Sequence, residues 1–397
     1  LPVVHPTVHR KPRILSNFSD LSLYYISYNL FAFSNGLFGT FINIFFFSKF
    51  NLISVVEYQA AIQGTQTLMF VFSGYLIRIL NAKYVYSIGN YARSLIIFAL
   101  ILAKGPLFNP IIFGLIYGIP SGIFWSGNNT LSQAVTRSKD RFGFLSTNST
   151  IAGAAGLVAP LLAGFIISIS YGRGLERYST DFLISALLLI IAGTVAIAIR
   201  EKGEGRWKYR ARNTIIGRDE KYSKFKTYFF LSNILTITVS TIVPLYIFSL
   251  TKSYVLIGFF GTFLSLVNLI SNATVVSLRR IVPNISQISI VVVMLSSLLY
   301  FIHVWNNVAS AYVASALIIY FMVPLNNSAM SNFMGFLDGV QRTAVYWINR
   351  EYYLVSGRIF SFAVLAVLSS LGFPIGLLMF SLPVFSLSVL GFIKVSK

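Results

Sequence analysis

The chain contains no cysteine, so disulfides, thiol catalysis and thiolate metal sites are excluded from the outset. Histidine is almost as scarce. His5, His9 and His303 are the only three, too dispersed for a clustered histidine–carboxylate metal site, and no cofactor is expected. Acidic residues number 11 against 31 basic ones, and charged residues of both signs make up only 11% of the 397. A soluble domain carries roughly 25% charged residues to keep its surface wet. Less than half that fraction means that most of this surface faces something other than water. What the chain has in place of charge is hydrophobicity: 56% of residues are apolar and the mean hydropathy is +0.74. The apolar residues come in repeated runs of about twenty, the length that crosses ~30 Å of hydrocarbon at ~1.5 Å per residue. An all-α integral membrane protein of the cell membrane follows.

Runs fall at 24–47, 53–80, 84–103, 110–131, 145–169 and 182–199, then at 227–250, 254–277, 286–304, 309–331, 352–371 and 373–393. They predict about 12 transmembrane helices in two six-helix bundles. The first run is too long for a signal-peptide core and is followed by no cleavage site, so a retained helix is expected. Basic residues give an independent check. With both termini cytoplasmic, that side collects Arg10, Lys11, Arg13, Arg78, Lys83, Arg137, Lys139, Arg141, a dense central set, Arg279, Arg280, Arg342, Arg350, Lys394 and Lys397. The other side receives Lys49, Lys104, Arg173, Arg177 and Lys252. This is the positive-inside pattern, and it explains the formal charge of +20 without a nucleic-acid partner.

The central set, Arg200 to Lys226, is the one long stretch without hydrophobic continuity, and it is interleaved with Glu201, Glu204, Asp219 and Glu220. It divides the chain into 1–199, a basic cytoplasmic linker 200–226, and 227–397. The plainest reading is a solvated linker resting on anionic lipid headgroups, at ~1 kcal/mol per basic residue near the surface. A docking role for that loop would make the protein a non-transporting membrane sensor.

Six helices plus six, with both termini inside and a basic central loop, resemble the major facilitator superfamily of transporters. Local sequence carries the resemblance further. The fifth run reads Gly153-Ala-Ala-Gly156-Leu-Val-Ala-Pro160-Leu-Leu-Ala-Gly164, similar to that superfamily's glycine- and proline-rich fifth helix. Small residues there let helices approach closely and proline bends the helix. The fourth run, Gly118-Ile-Pro120-Ser-Gly122 through Trp125, Gly127, Asn128 and Asn129, and the segment Glu351 to Arg358 also look like this group. The loop between helices two and three departs from it: Gly74 to Lys83 lacks the acidic residue of the usual motif, as does Ser277-Leu-Arg279-Arg280 after helix eight. Runs four and ten share a proline followed by paired asparagines, Pro120 with Asn128-Asn129 and Pro324 with Asn326-Asn327. The resemblance implies alternating access between the halves, a binding site near the bilayer midplane, and a cavity lined by helices one, four, seven and ten.

Ionisable groups inside a membrane cost ~2.5–3.5 kcal/mol or more near the helix centre and are functional candidates by default. Arg93 lies about 15 Å into helix three, counting from Lys83, and Arg358 about 10 Å into helix eleven, counting from Glu351. Each either attracts an anionic solute or snorkels to headgroups and helix-end carbonyls. Glu57, about 6 Å into helix two, is the carboxylate available for proton coupling, although an interfacial position accounts for it as well. Among uncharged groups, Gln59, Gln63 and Gln66 form one stripe on helix two, with Asn35 on helix one, Asn128 on four, Asn233 on seven and Asn326 on ten. Interhelical hydrogen bonds at ~0.6 kcal/mol each explain many such residues. Those on helices one, four, seven and ten gain weight from the resemblance. The 36 Phe and 22 Tyr fit lipid contact as easily as a binding cage.

No carboxylates, histidines or serine–base pairs converge at helical spacing, so an intramembrane enzyme is not expected. The reading that remains is a secondary transporter of a small-molecule solute, either an organic anion or an efflux substrate. A lipid-linked saccharide flippase of another fold is the transport alternative.

Overall fold

The computed structural model describes residues 19–102, 109–136, 141–172, 174–200, 211–214, 220–282, 284–302, 308–338 and 343–392. The N-terminal basic cluster, His303, and most of the linker (201–210 and 215–219) lie outside the described residues. Among the described residues every regular element is helical. The N half holds α1 (Asp20–Lys49), α2 (Leu52–Leu80), α3 (Ala82–Leu102), α4 (Pro110–Val135), α5 (Arg141–Ile169) and α6 (Glu176–Ile197). The C half holds α7 (Glu220–Thr251), α8 (Tyr254–Ile281), α9 (Ile285–Ile302), α10 (Val308–Asp338) and α11 (Thr343–Ser370), and closes with a broken twelfth span.

Turn chemistry sets the element ends. Ser19, Asn51 and Ser253 cap α1, α2 and α8, each side chain accepting a backbone N–H three residues on. Asn109 accepts from Ile112 N at 3.1 Å, and Pro110 stands at the first helical position of α4, where its missing N–H costs nothing. Gly372, at φ +82°, ends α11: its N–H reaches Ser369 O at 3.0 Å while Phe373 N reaches Leu368 O at 3.3 Å. That pair of bonds needs a left-handed residue, which glycine supplies without a Cβ penalty.

Nine of the described helices are long and apolar enough to span a membrane. At 29 residues, or ~43 Å, α2 is long enough but too polar, because its glutamine stripe faces inward rather than toward lipid. The last span departs from the single helix expected over 373–393. It consists of α12 (Ile375–Leu378), α13 (Ser381–Ser386) and a 3₁₀ turn, Leu387–Phe392. Pro383 has no N–H for Met379 O and its ring crowds that carbonyl. The neighbouring bonds tighten to i−3, with Phe380 N to Leu377 O at 3.0 Å and Leu382 N to Met379 O at 3.1 Å.

Three helices start six or more residues before the apolar runs do. α6 begins at Glu176 rather than 182, α7 at Glu220 rather than 227, and α11 at Thr343 rather than 352. Lys224 and Lys226 therefore belong to α7 rather than to the linker, and Glu351 lies eight residues inside α11.

Within the N half, serines of α1 and α3 bond across to α6. Ser27 donates to Ala192 O at 2.7 Å, Ser34 to Ser185 O at 2.9 Å, Ser87 to Gly193 O at 2.8 Å and Ser94 to Ala186 O at 2.8 Å. Hydroxyls hold apolar helices together here because lipid offers hydrophobic contact no advantage over protein. Gly114, Gly118 and Gly122 let α4 lie directly on α2: a Cβ on Gly118 would sit 2.8 Å from Thr65 Cβ and 2.9 Å from Ile62 O.

The halves meet along two seams, α5 against α8 and α2 against α11. At the α5–α8 seam, a Cβ on Gly258 would sit 2.6 Å from Pro160 O, and one on Gly164 would sit 2.5 Å from Tyr254 O. The glycine- and proline-rich run of α5 is thus the surface that packs directly on the other half.

Candidate functional site

Between the halves lies a cavity of about 630 Å³, lined from α1, α2, α3, α4, α7 and α11. Its wall is amide-rich. Asn35 is exposed to it although it sits mid-helix, and Gln59 Nε2 donates to Asn43 Oδ1 at 2.7 Å. Groups like these cannot face lipid without an unsatisfied donor or acceptor, so they turn inward.

The centre of the wall is Arg358. Its Nε donates to Asn233 Oδ1 at 3.0 Å and its Nη1 to Gln63 Oε1 at 2.7 Å. Gln63 belongs to α2 and Asn233 to α7, so a single guanidinium ties the N half to the C half. Both acceptors are neutral amides, and no ion pair to Arg358 is found among the described residues. Seven residues back on α11, Glu351 also lines the cavity; Arg350 Nη1 stands 3.7 Å from its Oε1.

Arg93 reaches the same cavity from α3. It is only 5% exposed, and its guanidinium carbon lies 5.0 Å from the ring centre of Phe31 and 5.2 Å from those of Tyr117 and Phe124. Its Nε has no hydrogen-bond partner, and no carboxylate pairs with it among the described residues. The aromatic faces supply cation–π attraction where a counter-ion would otherwise be needed.

Of the residues singled out from sequence, Asn35, Gln59, Gln63, Gln66, Arg93, Asn233 and Arg358 come together on this wall. The other three lie elsewhere. Asn128 is buried and accepts from Tyr24 OH at 2.9 Å, while its neighbour Asn129 lines the cavity. On α10, Asn326 accepts from Tyr228 OH at 3.4 Å, and α10 contributes nothing to the lining. Glu57 is half-buried, off the cavity wall. Sequence reasoning misses two carboxylates inside the bundle, because the hydropathy runs start α6 and α11 too late. Glu351 is one. The other is Asp181 on α6, fully buried, both of whose oxygens lack a partner.

One end of the cavity, on the face that carries the linker, is closed. Phe70 of α2 and Ile348 of α11 are buried against one another with Val71, Trp125, Ala211 and Tyr352 around them. The linker's described piece, a 3₁₀ turn at Ala211–Thr214, lies over this closure. Ala211 N donates to Tyr75 OH at 3.2 Å, Asn349 Nδ2 donates to Thr214 O at 2.8 Å, and the Thr214 and Tyr352 hydroxyls are 2.8 Å apart. On the opposite face Tyr178 OH donates to Tyr254 OH at 3.2 Å, joining α6 to α8, and the Arg177 guanidinium lies over the Tyr254 ring at 5.6 Å. The halves therefore touch on both faces of the bundle.

Known proteins resemble this chain at the level of fold and, over part of its length, of sequence. YqgE of Bacillus subtilis is 22% identical over 182 residues, 45% of this chain and 42% of that protein. A protein encoded in the sodM 3′ region of Geobacillus stearothermophilus is 25% identical over 173 residues, 43% of this chain and 79% of that protein. The match to YqgE thus spans less than half of its length. Among solved structures, a point mutant of the nucleoside transporter NupG aligns with a TM-score of 0.69 at 14% identity, over 95% of this chain and 100% of that one. A bacterial homologue of the iron transporter ferroportin, in its inward-facing state, aligns with a TM-score of 0.72 at 15% identity, over 95% and 98%. Identities this low establish the fold alone. That fold, two six-helix halves around a central cavity, overturns the alternative of a flippase of another fold. The family model of the Major Facilitator Superfamily matches residues 24–349. The chain belongs to the Major Facilitator Superfamily and is a transporter of that type.

Proposed function

We propose that the protein carries a small organic anion across the cell membrane, holding it in the central cavity while the two halves rock about it. The observation that carries this reading is Arg358, which bonds only to neutral amides from opposite halves, Gln63 at 2.7 Å and Asn233 at 3.0 Å. A guanidinium bonded to no carboxylate, in an amide-lined cavity inside a membrane, attracts a carboxylate or phosphate, which its planar fork can hold with two parallel hydrogen bonds. Arg93, Arg350 and Arg358 against Glu351 leave the lining with a formal excess of positive charge. Both termini and the 200–226 linker lie on the cytoplasmic side in this reading, where the linker's basic residues meet anionic headgroups.

The test is intrinsic-fluorescence melting of the detergent-solubilised protein. A ligand that binds only the folded state stabilises it by RT ln(1 + [L]/Kd). Small carboxylates should raise the melting temperature of the wild type, and Arg358→Gln should lose that response while folding normally. Stabilisation by lipophilic cations, equal in wild type and variant, would contradict the reading and point to an efflux substrate. No response to any solute, with a soluble protein captured by the linker, would point to a sensor.

A further inference from the structure

Two arginines face the cavity from opposite halves, and a short chain of contacts places them at the same depth. The Arg93 guanidinium lies over Tyr117, whose neighbour Gly118 packs against Ile62 O and Thr65 Cβ. Gln63, between those two residues, accepts from Arg358. Arg93 and Arg358 thus flank one level of α2, on the N-half and C-half sides of the same space.

Arg93 is the less easily explained of the two. It is more than nine-tenths buried and lines the cavity, its Nε is unpartnered, and no carboxylate pairs with it among the described residues. Of the two carboxylates inside the bundle, Glu351 lines the same cavity and Asp181 does not, and neither is bonded to Arg93. Glu351 pairs with Arg350, and the oxygens of Asp181 make no hydrogen bond at all. A buried cation is ordinarily paired, because an unpaired one forfeits hydration with no return. Aromatic faces and the Tyr117 hydroxyl beside Arg93 return only part of that cost.

We infer that the solute is a two-headed anion, with one acid group held by Arg358 and a second by Arg93. This rests on the anion reading above and specifies its substrate class. Such a solute spans the two halves. It draws them together as it binds, and neither half alone can hold it. A one-headed anion satisfies Arg358 and leaves Arg93 bare. Asn35 and Gln66 line the same space as the two arginines.

The experiment is the melting assay on the full chain, with unbranched dicarboxylates of increasing length, from malonate to adipate, beside acetate, butyrate and inorganic phosphate. In the wild type one dicarboxylate length should bind best, about tenfold or more tighter than any monocarboxylate, the increment of a second charge-assisted contact. Arg93→Gln should bring that dicarboxylate down to the monocarboxylate level while the monocarboxylate response persists. Arg93→Lys, which keeps the charge and the aromatic contacts, should retain part of the preference. A length series that is flat and level with acetate overturns the inference, and needs no variant to do so. So does a length preference that Arg93→Gln leaves intact, or phosphate alone matching the best dicarboxylate. A wild type that responds to no anion overturns the anion reading itself, and these outcomes are distinct from one another.

Discussion

Arg358 and Asp181 are both ionisable residues inside a membrane, and their surroundings assign them opposite roles. The arginine sits on the cavity wall, where its remaining N–H groups can meet a solute. Asp181 is sealed between helices with neither oxygen bonded. A carboxylate in that position lowers stability, since burial without hydrogen bonds costs more for a charge than for any neutral group. Replacing it with asparagine keeps the shape and removes the cost of either holding a charge there or protonating the carboxyl. Asp181→Asn is therefore expected to melt a few degrees above the wild type at neutral pH, read by the same fluorescence scan. A fall in melting temperature would mean that the carboxylate is a stabilising element after all. Neither role was legible from composition. Hydropathy reports contact with lipid, so it starts a helix where apolar residues start. α6 and α11 begin a turn or more earlier, in polar sequence that satisfies its backbone by hydrogen bonding, and both carboxylates fall in those extra turns. The same limit applies to Asn128 and Asn129. Consecutive residues lie about 100° apart around a helix, and only packing decides which of them turns toward the cavity.

At the scale of elements, the twelve-span plan was legible because run length alone states how many times the chain crosses ~30 Å. The broken last span was not, since its interruption depends on one proline in an otherwise apolar run. The glycine- and proline-rich fifth helix could be read as a close-packing surface, and its partner proved to be α8. The linker held a less visible feature. Four of its residues, 211–214, join α2 to α11 across the closed end of the cavity. Opening that end requires the turn to release α2 or α11; if it releases α11 the Asn349–Thr214 bond breaks, and a bond of this kind is worth about 1 kcal/mol net. Asn349→Ala should then shift the balance toward the open form about fivefold at that energy. Because the chain has no cysteine, a single cysteine at Phe70 reports on this without background. It should react with maleimide about fivefold faster in the Asn349→Ala background. Equal rates would show that the 3₁₀ turn rests on the seam without holding it shut.

For the whole molecule, the two seams and the bridge at Arg358 describe one device. α5 and α8 meet through glycines that permit sliding, while α2 and α11 meet through side chains that block one end of the cavity. The halves touch on both faces of the bundle, and transport requires one set of contacts to open while the other holds. The most direct test is to replace Phe70 and Ile348 with cysteine and join them with a short bifunctional thiol reagent cleavable by reduction. Uptake into proteoliposomes is then measured for whichever carboxylate gives the largest melting shift. Rocking halves predict that cross-linking stops uptake and that reduction restores it. Undiminished uptake through fully cross-linked protein would contradict alternating access between these two bundles.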